Sequence, residues 1–500
     1  MPQQQDGPVD TVDVEIGGAA SASAGPSRSL MPAGRATAAS GDLKFVILSH
    51  PEDIRRQKDV QTEIRRHVMR DIGKQRRRPR PGGVSHLRML QPPASNQGSS
   101  SMVQGVNVSN SIDRSLAPLG SFPIAGDARL VELVRFVMET STVYIPFCSV
   151  WFQVSLSDPG AFHVTLGNAA ALWKIVTENR ANIHDPELKA HYSQSLMHLR
   201  ARLSSVEDSI TEGTIVNILA HICLNMRHHY WDSWRAHMNG LSLIYRLREG
   251  FDDLGYNTRL MILFYDLTGA MNFDSVPRFP LPPDLTTPAR TIRPAPPKLQ
   301  AMIADLSQAS PELASAARAL EMVSSVADVV NLKSHSLLFW QSDVDALKLT
   351  SPTIHFLLSM PRLPENISTE ASPHNLVARE MVRLVCLMIM SKLKQNFSFF
   401  AAEWVGLQEK LDRLLIQHSA LLIDQCRELR IWALVTVALL RDPVGRGVYV
   451  HELLKDMSAV DELSVDDLIG VANETLWVNC LESPFIDDLI IDIMQHMNAR

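Results

Sequence analysis

Eleven Lys and Arg residues crowd into positions 55–80 against three acids, Asp59, Glu63 and Asp71. The dense part is Arg65, Arg66, Arg70, Lys74, Arg76, Arg77, Arg78 and Arg80, within "RRHVMRDIGKQRRRPR". Cationic side chains at this density neutralise phosphates, which supplies the sequence-independent part of nucleic-acid affinity. The same residues suit a second use, since "KQRRRPR" has the make-up of a nuclear localisation signal. A third reading is the solvated face of an amphipathic helix. All three stay open, because one set of Arg side chains can serve import and DNA contact alike. No aromatic residue interleaves the block, so base stacking is not expected.

Other chemistry is sparse. Of 17 His residues, His221, His228, His229 and His237 fall close together, and the first two lie two helical turns apart. No HExxH pattern or companion carboxylate joins them, so satisfied or exposed His is expected instead of zinc. Cys148, Cys223, Cys386, Cys426 and Cys480 are odd in number and widely spaced. They read as reduced, mostly buried thiols of an intracellular protein, with no disulfide framework and no metal or cofactor. The chain carries no GxSxG elbow, phosphate-binding Gly loop or dinucleotide fingerprint. Adjacent acids such as Asp252 with Asp253 and Asp466 with Asp467 point apart on a helix. No catalytic residue is assigned, and the chain is not read as an enzyme.

The elements that must position these residues follow from composition. Residues 1–120 hold 16 Lys/Arg against 11 Asp/Glu, while the rest of the 500-residue chain holds 32 against 43. A basic front on an acidic body implies an anionic partner for the front. Residues 1–41 and 81–121 are rich in Gly, Ala, Ser, Pro and Gln with few large apolar side chains and are expected to be disordered. Between them "KFVIL" fits a brief strand. Ser49 and Glu52 have capping-box spacing, and Val60, Ile64, Val68 and Ile72 mark one narrow helical stripe ended by Gly73 and Pro79. The start, "MPQQQDGPVD", lacks the order of a secretory leader. The longest apolar run, "IWALVTVALL" at 431–440, suits a buried helix and not a membrane span.

From residue 127 the period is helical. Leu130, Leu133, Val134, Val137 and Met138 share one face, as do Ile215, Ile218, Leu219 and Ile222 after a capping pair, Ser209 and Glu212. "WDSWRAHMNGLSLIYRLREG" ends on a Gly stop at Gly250, and "NTRLMILFYDLTGAM" repeats the period. A loop at 277–297, with eight Pro in 21 residues, interrupts it. Periodicity returns near 299 and is strong over 376–394, 403–418, 422–440 and 485–498. The fold expected for 122–500 is all-α, a large helical domain preceded by the basic helix at 42–80. From Asp456 to Ala499 ten acids alternate with apolar residues and no Lys or Arg intervenes. This is the composition of activation segments, but amphipathic terminal helices packed on the body are the favoured reading.

Several stretches together resemble a family. "VQTEIRRHVMRDIGKQRRR" is similar to the Q-x-x-I-R-x-H-V-M segment near the start of many fungal transcription-factor-like proteins. "LSDPGAFHVTLGNAAALW" at 156–173 resembles their block around a Phe-His pair. "WDSWRAHMNGLSLIYRLREGFDDLG" at 231–255 resembles their A-x-x-H-x-x-G-L turn, and "VPRFP" at 276–280 its Pro-bounded end. Glu249 stands where the family usually has Gly. Relatives often begin with a six-cysteine, two-zinc DNA reader, whereas here no Cys precedes Cys148. Ala236, His237, Gly240 and Leu241 are read as packing, with Gly240 admitting a neighbouring helix.

The resemblance implies an all-α regulatory domain of a nuclear regulator of metabolic or secondary-metabolite genes. Its expected partners are DNA, at low specificity, and co-regulator proteins, with a homo- or heterodimer possible and no membrane involved. A nuclear adaptor or corepressor that does not touch DNA is the alternative, and an enzyme with an unrecognised helical pocket the third reading.

Overall fold

The computed structural model describes residues 122–139, 147–178, 185–285, 293–367, 372–399, 401–422, 426–459 and 463–498. The stretches expected to be disordered (1–41 and 81–121), the strand and basic helix expected over 42–80, and the Ser49/Glu52 pair lie outside the described residues. Among those described, every regular element is helical, so the fold is all-α.

Helix α1 (Ala128–Glu139) starts where the Asp127 carboxylate accepts from the Leu130 N–H at 2.8 Å. Its Leu130, Leu133, Val134 and Val137 are buried, with Met138 half-buried. They pack against α2 (Cys148–Ser155) and α3 (Pro159–Glu178) in a small apolar cluster with Phe152, Phe162 and Leu166. Helix α4 (Pro186–Arg202) pairs with α3, capped by Asp185, which accepts from the Glu187 and Leu188 N–H groups. A short α5 (Val206–Ser209) leads to α6 (Glu212–Arg227). Here the expected cap fails. Ser209 ends α5, and Thr211 caps α6 by accepting from the Thr214 N–H, because its hydroxyl is the one placed before the first free donors. Glu212 reaches instead to the Gly255 N–H and the Thr258 hydroxyl.

Helices α7 (Trp231–Arg248) and α8 (Tyr256–Phe273) follow. Beyond them come α9 (Pro297–Ala309), α10 (Pro311–Lys333), α11 (Leu337–Trp340) and α12 (Asp343–Ser359). Pro297 takes the first helical position of α9, where a missing N–H costs nothing. Ser310 alone separates α9 from α10, ending one and capping the other.

Helix α13 (Pro373–Asn396) is the axis of the body, buried on all sides and packed against α10, α12, α14 (Trp404–His418) and α15 (Arg427–Leu440). The run 431–440 is wholly buried in α15, while Ser419–Leu422 is a single 3-10 turn instead of the start of that helix. The chain closes with α16 (Gly447–Ala459), α17 (Val465–Thr475), α18 (Asn479–Glu482) and α19 (Ile486–Asn498). Leu468, Ala472, Leu489 and Ile493 are buried, so the acidic terminal helices pack on the body as amphipathic elements.

The Gly stop expected at Gly250 is shared with Glu249: Gly250 takes φ 142°, a region that favours glycine. Glu249 takes the left-handed position (φ 60°), and the Gly250 N–H closes back on the Tyr245 carbonyl at 3.0 Å. Asp274 does the same after α8 (φ 47°), with the Ser275 N–H on the Ala270 carbonyl at 2.9 Å.

Candidate functional site

Arg65, Arg66, Arg70, Lys74, Arg76, Arg77, Arg78 and Arg80 lie outside the described residues. Of the His group named from spacing, His221 on α6 and His237 on α7 come together. His221 is fully buried in α6, its Nε2 3.0 Å from the Ser195 hydroxyl and its ring stacked on His237. Burial, then the neighbouring His237, pushes its pKa down to about 3, so it is neutral near pH 7. A second pair escaped sequence reasoning: His163 Nδ1 lies 3.0 Å from His191 Nδ1, with His198 stacked beyond. Burial and the two neighbouring rings push His163 down to about 4. Among the described residues no group of three or more His, Cys, Asp or Glu is arranged to hold a metal ion. All five Cys are unpaired; Cys148 and Cys386 are buried and the others half-buried.

A shallow cleft lies between α7 and α8. Gly269 has no Cβ, and one placed there would sit 1.8 Å from Trp234 Cζ2. The indole therefore lies directly on the α8 backbone, its ring centre 5.6 Å from that of Phe273. Gly240, expected to admit a helix, has nothing within 4 Å of a built Cβ. The close approach belongs to Gly269, because Trp234 sits one face away from Gly240 and points at α8. Around the indole opens a cleft of about 190 Å³ lined by Trp234, Arg235, Asp266, Phe273, Val276 and Arg278.

Asp266 forms its floor. One carboxylate oxygen accepts from the Arg278 and Phe279 N–H groups at 2.9 and 3.1 Å, pinning the "VPRFP" turn to α8. The other oxygen has no partner, and neither has the Trp234 N–H, although each residue is only 2% exposed. Burial pushes the Asp266 pKa up to about 6, opposed by those backbone donors. At the rim the Arg235 guanidinium lies 4.9 Å from the Phe273 ring centre, and that of Arg278 lies 5.9 Å from the Trp234 ring centre. The Arg278 guanidinium also donates to the Asn239 side-chain oxygen at 2.7 Å, which holds it beside the indole.

On the far side of the same turn, Asp274 organises an ion cluster. Arg383, fully buried in α13, donates to both its oxygens at 2.6 and 2.9 Å and to Glu380 at 2.6 and 2.9 Å. Lys410 adds a bond at 2.6 Å and Arg362 one at 3.2 Å. Burial opposes ionisation of Asp274, yet Arg383 and Lys410 outweigh it and hold the carboxyl below the usual range. These cations are spent on internal acids, so the cluster fixes the turn that carries Arg278.

Sequence reasoning singled out the segments of the cleft but not its chemistry. The available signal was Asp266 itself, a lone acid within the apolar run "LMILFYDLTGAM". A family model described as the fungal specific transcription factor domain matches residues 135–391, a span that includes the whole cleft and most of α13. Comparison with curated proteins gives no match, and neither does comparison with solved structures.

Proposed function

The chain belongs to the fungal specific transcription factor domain family, and from that membership we propose that it is a nuclear regulator of a metabolic or secondary-metabolite gene set. In this reading residues 122–500, with the Pro-rich loop 277–297, form the effector domain. Residues 42–80 form a basic helix flanked by disordered stretches at 1–41 and 81–121. Arg65, Arg66, Arg70, Lys74, Arg76, Arg77, Arg78 and Arg80 contact DNA phosphates without reading sequence, and co-regulators or a dimer partner supply specificity. The observation that carries the proposal is the family match, joined to eleven Lys and Arg within residues 55–80 of a chain with net charge −6.

Its test is titration of duplex DNA at several salt concentrations with wild type and with Arg76, Arg77 and Arg78 all changed to Ala. Loss of three phosphate contacts lowers the slope of log K against log salt by about 2.7, at about 0.9 per contact. An unchanged affinity and slope removes DNA contact by this cluster. The alternative, an adaptor that reaches chromatin through a partner, expects the same variant to lose nuclear accumulation while partner binding stays intact.

A further inference from the structure

We infer that the cleft lined by Arg362, Lys410 and Arg413 is a binding site for a dianionic phosphoryl group, carried by a small ester or by free phosphate. The inference goes beyond the gene-regulatory reading and stands without it, because it rests on residues of the helical body. The cleft holds about 230 Å³ beside the turn at Asp274. Lys410 and Arg362 grip the two oxygens of the Asp274 carboxylate at 2.6 and 3.2 Å, so their charged ends stand at one point of its wall. Arg413 follows Lys410 by three residues on α14, and residues so spaced are neighbours on a helix surface.

These cations are within reach of a solute. The Lys410 and Arg362 side chains are 41% and 27% exposed. Lys410 gives one bond to Asp274 and keeps two further donors. Arg413 is exposed and makes no hydrogen bond or ion pair among the described residues. Charge decides the class of ligand. Asp274 and Glu380 bring two negative charges, whereas Arg383, Arg362, Lys410 and Arg413 bring four positive ones. Burial and then the neighbouring Arg383 push the Arg362 pKa down although Asp274 and Glu380 oppose them, which is the mark of surplus positive charge.

A phosphate monoester carries about −1.5 to −2 charges at pH 7 in one compact group with three acceptor oxygens. That matches the surplus at a single point, and guanidinium groups donate to such oxygens in pairs. A phosphodiester or a monocarboxylate brings only one charge, and a cation is repelled. The volume lies below the roughly 300–1,000 Å³ of pockets that enclose drug-sized ligands, so it suits a compact anionic group.

The test is calorimetric titration of the purified full-length protein, in phosphate-free buffer at low salt, with glycerol 3-phosphate, inorganic phosphate and dimethyl phosphate. The last is a monoanion of similar shape. We expect the two dianions to saturate one site and to bind about tenfold more tightly than dimethyl phosphate. Tighter binding of glycerol 3-phosphate than of inorganic phosphate assigns the site to an ester, and equal or weaker binding to the free ion. Arg413→Gln and Lys410→Gln should each weaken the dianions about tenfold. The variant with Arg76, Arg77 and Arg78 changed to Ala should bind them as wild type does, which separates this site from the basic segment 55–80. No saturable binding of either dianion, equal affinity for dimethyl phosphate, wild-type affinity in Arg413→Gln, or loss of binding in the Arg76, Arg77, Arg78 variant would overturn the assignment. Arg413→Gln, at an exposed position, decides the matter if Lys410→Gln does not fold.

Discussion

Glu249 is one of five non-Gly residues among those described that take the left-handed backbone region. A side chain at φ 60° carries a cost of about 1–2 kcal/mol that Gly avoids. The Glu249 side chain is exposed and holds no hydrogen bond that would offset this. Glu249→Gly is therefore expected to raise stability by about 1 kcal/mol, read as a higher urea midpoint with an unchanged slope, whereas Glu249→Ala should not. Asp274 occupies the same kind of position at lower cost, since Asp tolerates it and Arg383 and Lys410 grip its carboxylate. Its buried partners were not legible in the sequence. An Arg three residues after a Glu in "AREMVRL" looks like a surface helix pair until α13 is found to be covered on every side.

At the scale of elements, the α7–α8 contact depends on one missing methyl group. Trp234 lies on Gly269, and the indole cannot retreat without leaving Phe273 and the cleft. Gly269→Ala is expected to cost about 1–3 kcal/mol by overpacking. Thermal unfolding would report the loss as a lower midpoint. Asp266 of α8 ties down the Arg278 and Phe279 N–H groups, so the turn's Arg is aimed over the indole. The period of the helices was readable from their apolar spacing, including the buried faces of α1 and α6. Their caps were less so, because Ser209 and Thr211 are chemically alike and only the path of the chain into α6 decides which hydroxyl meets a free N–H.

For the whole molecule, the half-buried His163 and the buried His221 contribute to the acid limb of stability. His163 and His221 are held below their ordinary pKa, so the folded state keeps them neutral while the unfolded chain takes up protons near pH 6.5. Their contribution is complete above pH 6.5 and is lost as pH falls toward about 4 for His163 and about 3 for His221. Asp266 and Asp456, pushed up to about 6 chiefly by burial, act in the opposite sense: their contribution is complete below about pH 3.9 and is lost as pH rises through 6. Replacing His163 by Gln should therefore flatten the decline in stability between pH 6.5 and 4 without changing it above pH 7, as urea unfolding at stepped pH would show. Among the described residues no helix is long and apolar enough to cross a membrane.

The order of amino acids by itself determined that the body is helical, that 431–440 lies inside it, and which family its motifs resemble. Those properties are local, since a period of 3.6 and a Pro or Gly break act over a few residues. It also determined the basic charge of 55–80, which is composition. Only the tertiary structure decided that Gly269 and not Gly240 admits a neighbour, that Arg383 is enclosed by acids, and that Trp234 and Asp266 share a cleft with unsatisfied atoms. Each of these depends on residues 30 or more positions apart meeting in space, and hydrophobic burial, being non-directional, does not specify such meetings from spacing alone.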